Sequence, residues 1–169
     1  MTWSLPNITK DTLVIGDSNL CNITHAQTDN IQIESFPGAQ FRQIKYIIDN
    51  YSHLGTPKNI ILSVGINNRS SKPSNTSIPE MKNVISSISK NFPNSKIYFP
   101  LINYSNNLPG SEISNLDKIN QAIKSLSNVT VIDKLISGKF YTNPSDRTNI
   151  HWSTNTANSL LSNWLSHLN

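Results

Sequence analysis

The sequence predicts an α/β protein: a five-stranded, mostly parallel sheet with helices on both faces. Three observations point there. Short β-rich apolar runs recur five times along the 169 residues, helical patterns lie between them, and no linker or composition shift divides the chain. Strands alternating with helices imply βαβ units, hence parallel pairing beneath helices. The length suits one domain, residues 1–169, with a single packed core.

The strands are expected at residues 12–15, 31–36, 59–64, 96–99 and 129–132, each brief and bounded by Gly, Pro, Asn or Ser as a buried strand should be. The helices follow from the 3.6 period. Phe41, Ile44, Ile47, Ile48 and Tyr51 mark one apolar face, and Met81, Val84, Ile85 and Ile88 a second. Leu116, Ile119, Ile123 and Leu126 mark a third. In the last helix Ala157, Leu160, Leu161, Trp164, Leu165 and Leu168 keep the period, with Ser153 at the N-cap position. Residues 67–79 and 103–111 fit neither period. Both are polar loops that follow a strand, and in an open parallel sheet such loops form the ligand crevice.

Composition narrows the function classes. Hydrophobic residues make up 36% and charged residues 14%, against about 25% charged in an average domain. Polarity is carried instead by 24 asparagines and 24 serines. Sustained charged heptads are missing, which excludes a coiled coil, and the recurring apolar runs exclude a disordered tail. No apolar stretch approaches the ~18 residues of a membrane-spanning helix. The 14 Lys and Arg give a net charge of +4 and are scattered without a run, so sequence-specific nucleic-acid binding is not expected. Weak attraction to anionic phospholipid membranes is. A lone Cys21 excludes an internal disulfide and a multi-Cys zinc site, and the first residues have no signal-peptide pattern, so a cytoplasmic location is expected.

The first strand ends in Gly16-Asp17-Ser18-Asn19, which sets Ser18 where sheet turns to helix, with its hydroxyl at the sheet edge. The second ends in Phe36-Pro37-Gly38-Ala39 and the third in Val64-Gly65-Ile66-Asn67-Asn68. The segment from Asp146 through His151, Trp152 and Ser153 precedes the capped last helix. Each block alone has a bland reading: Ser18 as a cap, Gly38 as a turn glycine, Asn67 as one Asn among many. Their order, each in its own element, is more specific. His25, His53 and His167 lack such a setting and read as surface residues.

With these four blocks the chain resembles the SGNH (GDSL-type) hydrolases, small esterases and lipases with a flavodoxin-like three-layer α/β/α fold. The resemblance covers essentially the whole chain. It implies Ser18 as nucleophile, His151 as general base, and the N–H groups of Ser18 and Gly38 with the Asn67 amide as oxyanion donors. The chemistry is consistent with those types. An alcohol is a poor nucleophile at neutral pH and needs an imidazole to take its proton, and fixed donors must meet the charge that develops on the carbonyl oxygen. No metal or cofactor is expected. The substrate would be a small acyl ester, and the absence of a segment long enough for a lid favours short acyl groups such as acetyl. Asn68, Tyr104 and Trp152 are expected around the pocket, with Ile102 and Leu108 as further apolar groups that either line the rim or close the sheet end.

One position departs from the family pattern. The aspartate usually found three residues before the histidine is Thr148 here, and Asp146 lies five before His151. Either the loop bulges so that Asp146 reaches the ring, or Asn149 or a backbone carbonyl orients it and serine and histidine act as a dyad. A catalytically weak scaffold that binds a lipid or partner in the same crevice is the competing reading. The phrases around Ser18, Gly38, Asn67 and His151 are also similar to the esterase domain of some first-open-reading-frame proteins of vertebrate non-LTR retrotransposons. That similarity implies a module of a longer protein carrying RNA-binding or coiled-coil parts.

Overall fold

The computed structural model describes residues 3–25, 29–52, 54–136 and 138–168; His53 lies outside them. Strands β1 (Thr12–Gly16), β2 (Ile31–Ser35), β3 (Asn59–Ser63), β4 (Lys96–Pro100) and β5 (Thr130–Ile132) form one sheet in the order β2-β1-β3-β4-β5. Every pair is parallel. This is the flavodoxin-like strand order, whose switch point lies where the chain turns back at β1 and β3.

Side chains alternate across the pleat, and both faces are covered. Leu13, Ile15, Ile60, Leu62, Ile97 and Phe99 pack with the apolar faces of helices α1 (Phe41–Asp49), α2 (Ile78–Asn91) and α3 (Gly110–Lys124). Val14, Ile61, Tyr98 and Ile132 point the other way, onto Ala157, Leu160, Leu161 and Trp164 of α4 (Thr154–Ser166). The result is a three-layer sandwich. The predicted cap of α4 is present: Ser153 Oγ accepts the N–H of Thr156 at 3.2 Å.

Two segments differ from the sequence reading, both at the carboxyl edge of the sheet. Among the described residues no full helix follows β1. The chain makes a five-residue 3-10 turn, Ser18–Asn22, and leaves it extended at Ile23, so Ser18 does not sit on the dipole of a long helix. Residues 67–79 are more ordered than their polar composition suggests. A 3-10 turn, Ile66–Asn68, is followed by one π turn, Pro73–Ser77, that runs straight into α2. Pro73 and Pro79 fall in the first turn of each, where no backbone donor is needed.

Gly16 shows how tightly this edge is built. A Cβ there would lie 1.8 Å from the carbonyl oxygen of Ser63, so only glycine lets the end of β1 lie against β3. The next residue uses that proximity, with Asp17 N–H donating to Ser63 O at 3.2 Å.

Candidate active site

Ser18 is half-buried at the start of the 3-10 turn. Asp17 caps this turn, its Oδ1 accepting the N–H of Asn19 at 3.0 Å. The end of β2 is pinned alongside: Phe36 N–H donates to Gly16 O at 2.8 Å, and Ser35 Oγ donates to Asp17 O at 2.8 Å. Asn19, which the sequence reading passed over, is 1% exposed. Its side chain crosses to the other end of the chain. Asn19 Nδ2 donates to Ile150 O at 3.1 Å, and Asn19 Oδ1 accepts the N–H of Trp152 at 2.9 Å. The residue after Ser18 thus grips the residues on either side of His151.

Asp146 reaches the ring. Its Oδ2 lies 3.0 Å from His151 Nδ1 and also accepts the N–H groups of His151 at 2.8 Å and Ile150 at 3.0 Å. The bulge that the five-residue spacing requires is formed by the turn Asp146–Asn149, in which Asn149 adopts φ +58°, a left-handed conformation that asparagine tolerates better than most residues. Thr148 occupies the usual aspartate position and serves Asp146 instead, its N–H donating to Oδ1 at 3.0 Å and its hydroxyl to the same oxygen. Partial burial pushes the Asp146 carboxyl up. The hydrogen bonds from the Thr148 hydroxyl and from the N–H groups of His151, Thr148 and Ile150 outweigh it and hold the group well below the usual carboxylate range. Asp146 is therefore held as an anion. The loop closes on itself through Asn143 N–H to His151 O at 2.8 Å and an antiparallel bridge between Thr142 and Trp152.

Gly38 is exposed with φ +78°, the third residue of a turn closed by Ala39 N–H to Phe36 O at 3.0 Å. Proline second and glycine third is the type II pattern, and nothing lies within 4 Å of where a Cβ would be, so the peptide is open to a ligand. Asn67 is tied to the same turn. Its Nδ2 donates to Ala39 O at 3.0 Å, and its backbone oxygen accepts from Gln40 Nε2 at 2.9 Å. One amide hydrogen is used in orientation and the second is left to donate.

Three expected pocket residues lie elsewhere. Asn68 is fully buried and its Oδ1 accepts the N–H of Phe41 at 3.1 Å, so it caps the start of α1 rather than walling a pocket. Trp152 is 6% exposed and packs edge-on to Trp164, centroids 6.0 Å apart, beneath the site. Tyr104 hydrogen-bonds to Asp117 and lies under Lys134, whose Nζ is 4.5 Å from the ring centroid; burial, with the Asp117 carboxylate, pushes its hydroxyl up to about 12. It lines a polar cleft with Asn106, Asn107 and Phe140, apart from Ser18 and His151. Ile102 and Leu108 are buried and close the sheet end. A side chain's exposure at a strand end depends on which way the loop turns, and residue type alone does not carry that.

Asp17 is 3% exposed, and burial raises its carboxyl to about 7 against the opposing pull of the Asn19 N–H and of His151. Between about pH 4 and 7 the folded chain therefore holds a proton that the unfolded chain has released. Stability from this group is complete below pH 4 and is lost as pH rises through 7, by on the order of 4 kcal/mol. Asp146 has the opposite sign but titrates below this window. Urea unfolding at pH 5 and pH 8 should show the wild type losing markedly more stability than Asp17→Asn. Equal losses in the two proteins would refute this account of the buried carboxyl.

No protein-family model and no curated protein sequence matches the chain. The three-layer fold is nevertheless shared with solved structures that carry lipase and esterase names. A lipolytic protein of the G-D-S-L family from Veillonella parvula is similar with TM-score 0.69 and 14% identity, over 95% of this chain and 98% of that one. A Streptococcus pneumonia protein named for platelet activating factor gives 0.74 and 16%, over 96% and 85%. An acetyl xylan esterase gives 0.62 and 14%, over 93% and 100%. Identities this low define the fold.

Proposed function

We propose that the chain is a serine esterase of the SGNH kind that hydrolyses short acyl esters. The observation that carries this reading is the Asp146–His151 contact, on a loop that Asn19 ties to the turn bearing Ser18. The fold shared with a lipolytic G-D-S-L protein and an acetyl xylan esterase supports it. With Nδ1–H directed at Asp146, the His151 nitrogen left to take a proton is Nε2. Ser18 Oγ attacks the acyl carbon while its proton passes to that nitrogen. The negative charge on the carbonyl oxygen is met by the N–H groups of Ser18 and Gly38 and by the free amide hydrogen of Asn67. His151 then protonates the departing alkoxide, leaving an acyl ester on Ser18, which a water deprotonated by His151 hydrolyses.

Two measurements bear on this reading. Asn67→Ala removes one oxyanion donor and should lower kcat by about 10²–10³ with KM little changed; an unaltered kcat would take Asn67 out of the oxyanion hole. Because the Gly38 peptide is exposed, with nothing within 4 Å of its Cβ position to wall a longer acyl chain, p-nitrophenyl acetate should be cleaved faster than the butyrate and hexanoate esters. Faster turnover of the longer chains would overturn the acetyl preference.

A further inference from the structure

We propose that Asn19 is a positioning residue that sets where His151 stands relative to Ser18, a role that rests on the esterase reading of this site. Ser18 and His151 are 133 residues apart in sequence, and they belong to pieces of chain with separate internal geometry. Ser18 belongs to a turn fixed by the Asp17 cap and by Ser35. His151 belongs to a loop closed by its own bonds: Asn143 N–H to His151 O, Asp146 N–H to Asn143 O at 2.9 Å, and the Asp146 carboxylate to three donors. Such a loop can keep its shape while moving as a unit. Leu20 and Trp152 share one apolar cluster, which is non-directional; the directional link between the two pieces is the Asn19 carboxamide, which donates to Ile150 O and accepts from Trp152 N–H. It uses one hydrogen and one oxygen, so a donor and an acceptor are satisfied at once, and its near-complete burial keeps water from competing for either. Since Asn19 directly follows Ser18, a shift of the His151 loop has to pull on the nucleophile's own turn.

The chemical requirement is a carboxamide on a one-carbon stem. Aspartate has nearly the same shape and keeps the acceptor for Trp152 N–H; as a neutral acid it would still donate to Ile150 O, so the variant is compared with wild type at pH 9, where the ionised carboxylate opposes the Ile150 carbonyl. Leucine fills the space and loses both bonds. A displacement of about 1 Å between reacting groups costs roughly 10²-fold in rate. Asn19→Leu should therefore lower kcat on p-nitrophenyl acetate about 100-fold and Asn19→Asp about 10-fold or more, with KM changed less than about two-fold, because neither residue touches substrate. A role confined to stability would leave kcat of the folded fraction near wild type and move only the unfolding temperature, and that result would overturn the proposal.

A second readout does not depend on turnover. In crystals of Asn19→Asp grown at pH 9 the His151 ring should stand about 1 Å further from Ser18 Oγ than in the wild type, while Asp146 Oδ2 stays in contact with Nδ1. An undisplaced ring in that variant would refute the clamp even where Asn19→Leu fails to fold. If the wild type itself cleaves no ester while the ring is displaced as described, the esterase reading fails and the clamp stands.

Discussion

Ser18→Ala is expected to lower kcat/KM on p-nitrophenyl acetate by at least about 10⁴-fold while leaving the fold intact. The loss is large because serine and imidazole act as a unit. Without the hydroxyl there is nothing for His151 to deprotonate and no acyl intermediate, and only binding and the oxyanion donors remain. The structural effect should be small, because the bonds that define this turn, from Asn19 N–H to Asp17 and from Ser35 Oγ to Asp17 O, do not use the Ser18 side chain. Unfolding in urea should match wild type within about 0.5 kcal/mol. Equal hydrolysis rates for the two proteins would eliminate the nucleophile assignment and favour the binding-scaffold reading.

Asp146→Asn should lower kcat by roughly 10²–10⁴, the range set by losing a carboxylate that orients and stabilises the imidazolium. The contacts explain why asparagine does not substitute. Both carboxylate oxygens act only as acceptors: Oδ2 faces the His151 ring and two backbone N–H groups, and Oδ1 faces the Thr148 N–H and hydroxyl. An amide must aim its NH₂ at donors on one side or the other. With the oxygen kept toward His151, geometry survives but the charge is gone. With the NH₂ there, the ring is driven to the wrong tautomer. Steady-state kinetics from pH 6 to 9 would check this, and turnover within two-fold of wild type would show a dyad in which Asp146 only shapes the loop.

The sheet and its helices were legible because burial on both faces enforces short apolar strands, and one-faced burial enforces the 3.6 period seen in α1 to α4. Ser18, Gly38 and Asn67 were legible as candidates because strand ends and glycine neighbours mark carboxyl-edge positions, and Asp146 because the family resemblance implies a carboxylate shortly before His151. Asn68 and Trp152 were misplaced for one reason: a residue next to a site residue in sequence points the opposite way once the loop turns, into the core. Asn19 gave no signal among 24 asparagines, since its partners lie more than 130 residues away and are backbone groups. The two-residue shift of Asp146 was visible, but the positive φ of Asn149 that accommodates it was not.

The bonds from Asn67 to Ala39, Gln40 to Asn67 and Phe41 N–H to Asn68, like those of Asn19, join neutral amides to neutral peptides. They carry no net charge for dissolved ions to screen, unlike the surface pairs of Lys45 with Asp49 and Lys58 with Asp11. Ionic strength therefore acts on those surface pairs and on the Asp146–His151 contact, and leaves the amide framework that holds Asn67 and the Asn19 clamp unaltered. In an asparagine-rich, charge-poor chain the backbone of the site is set by bonds that salt does not screen.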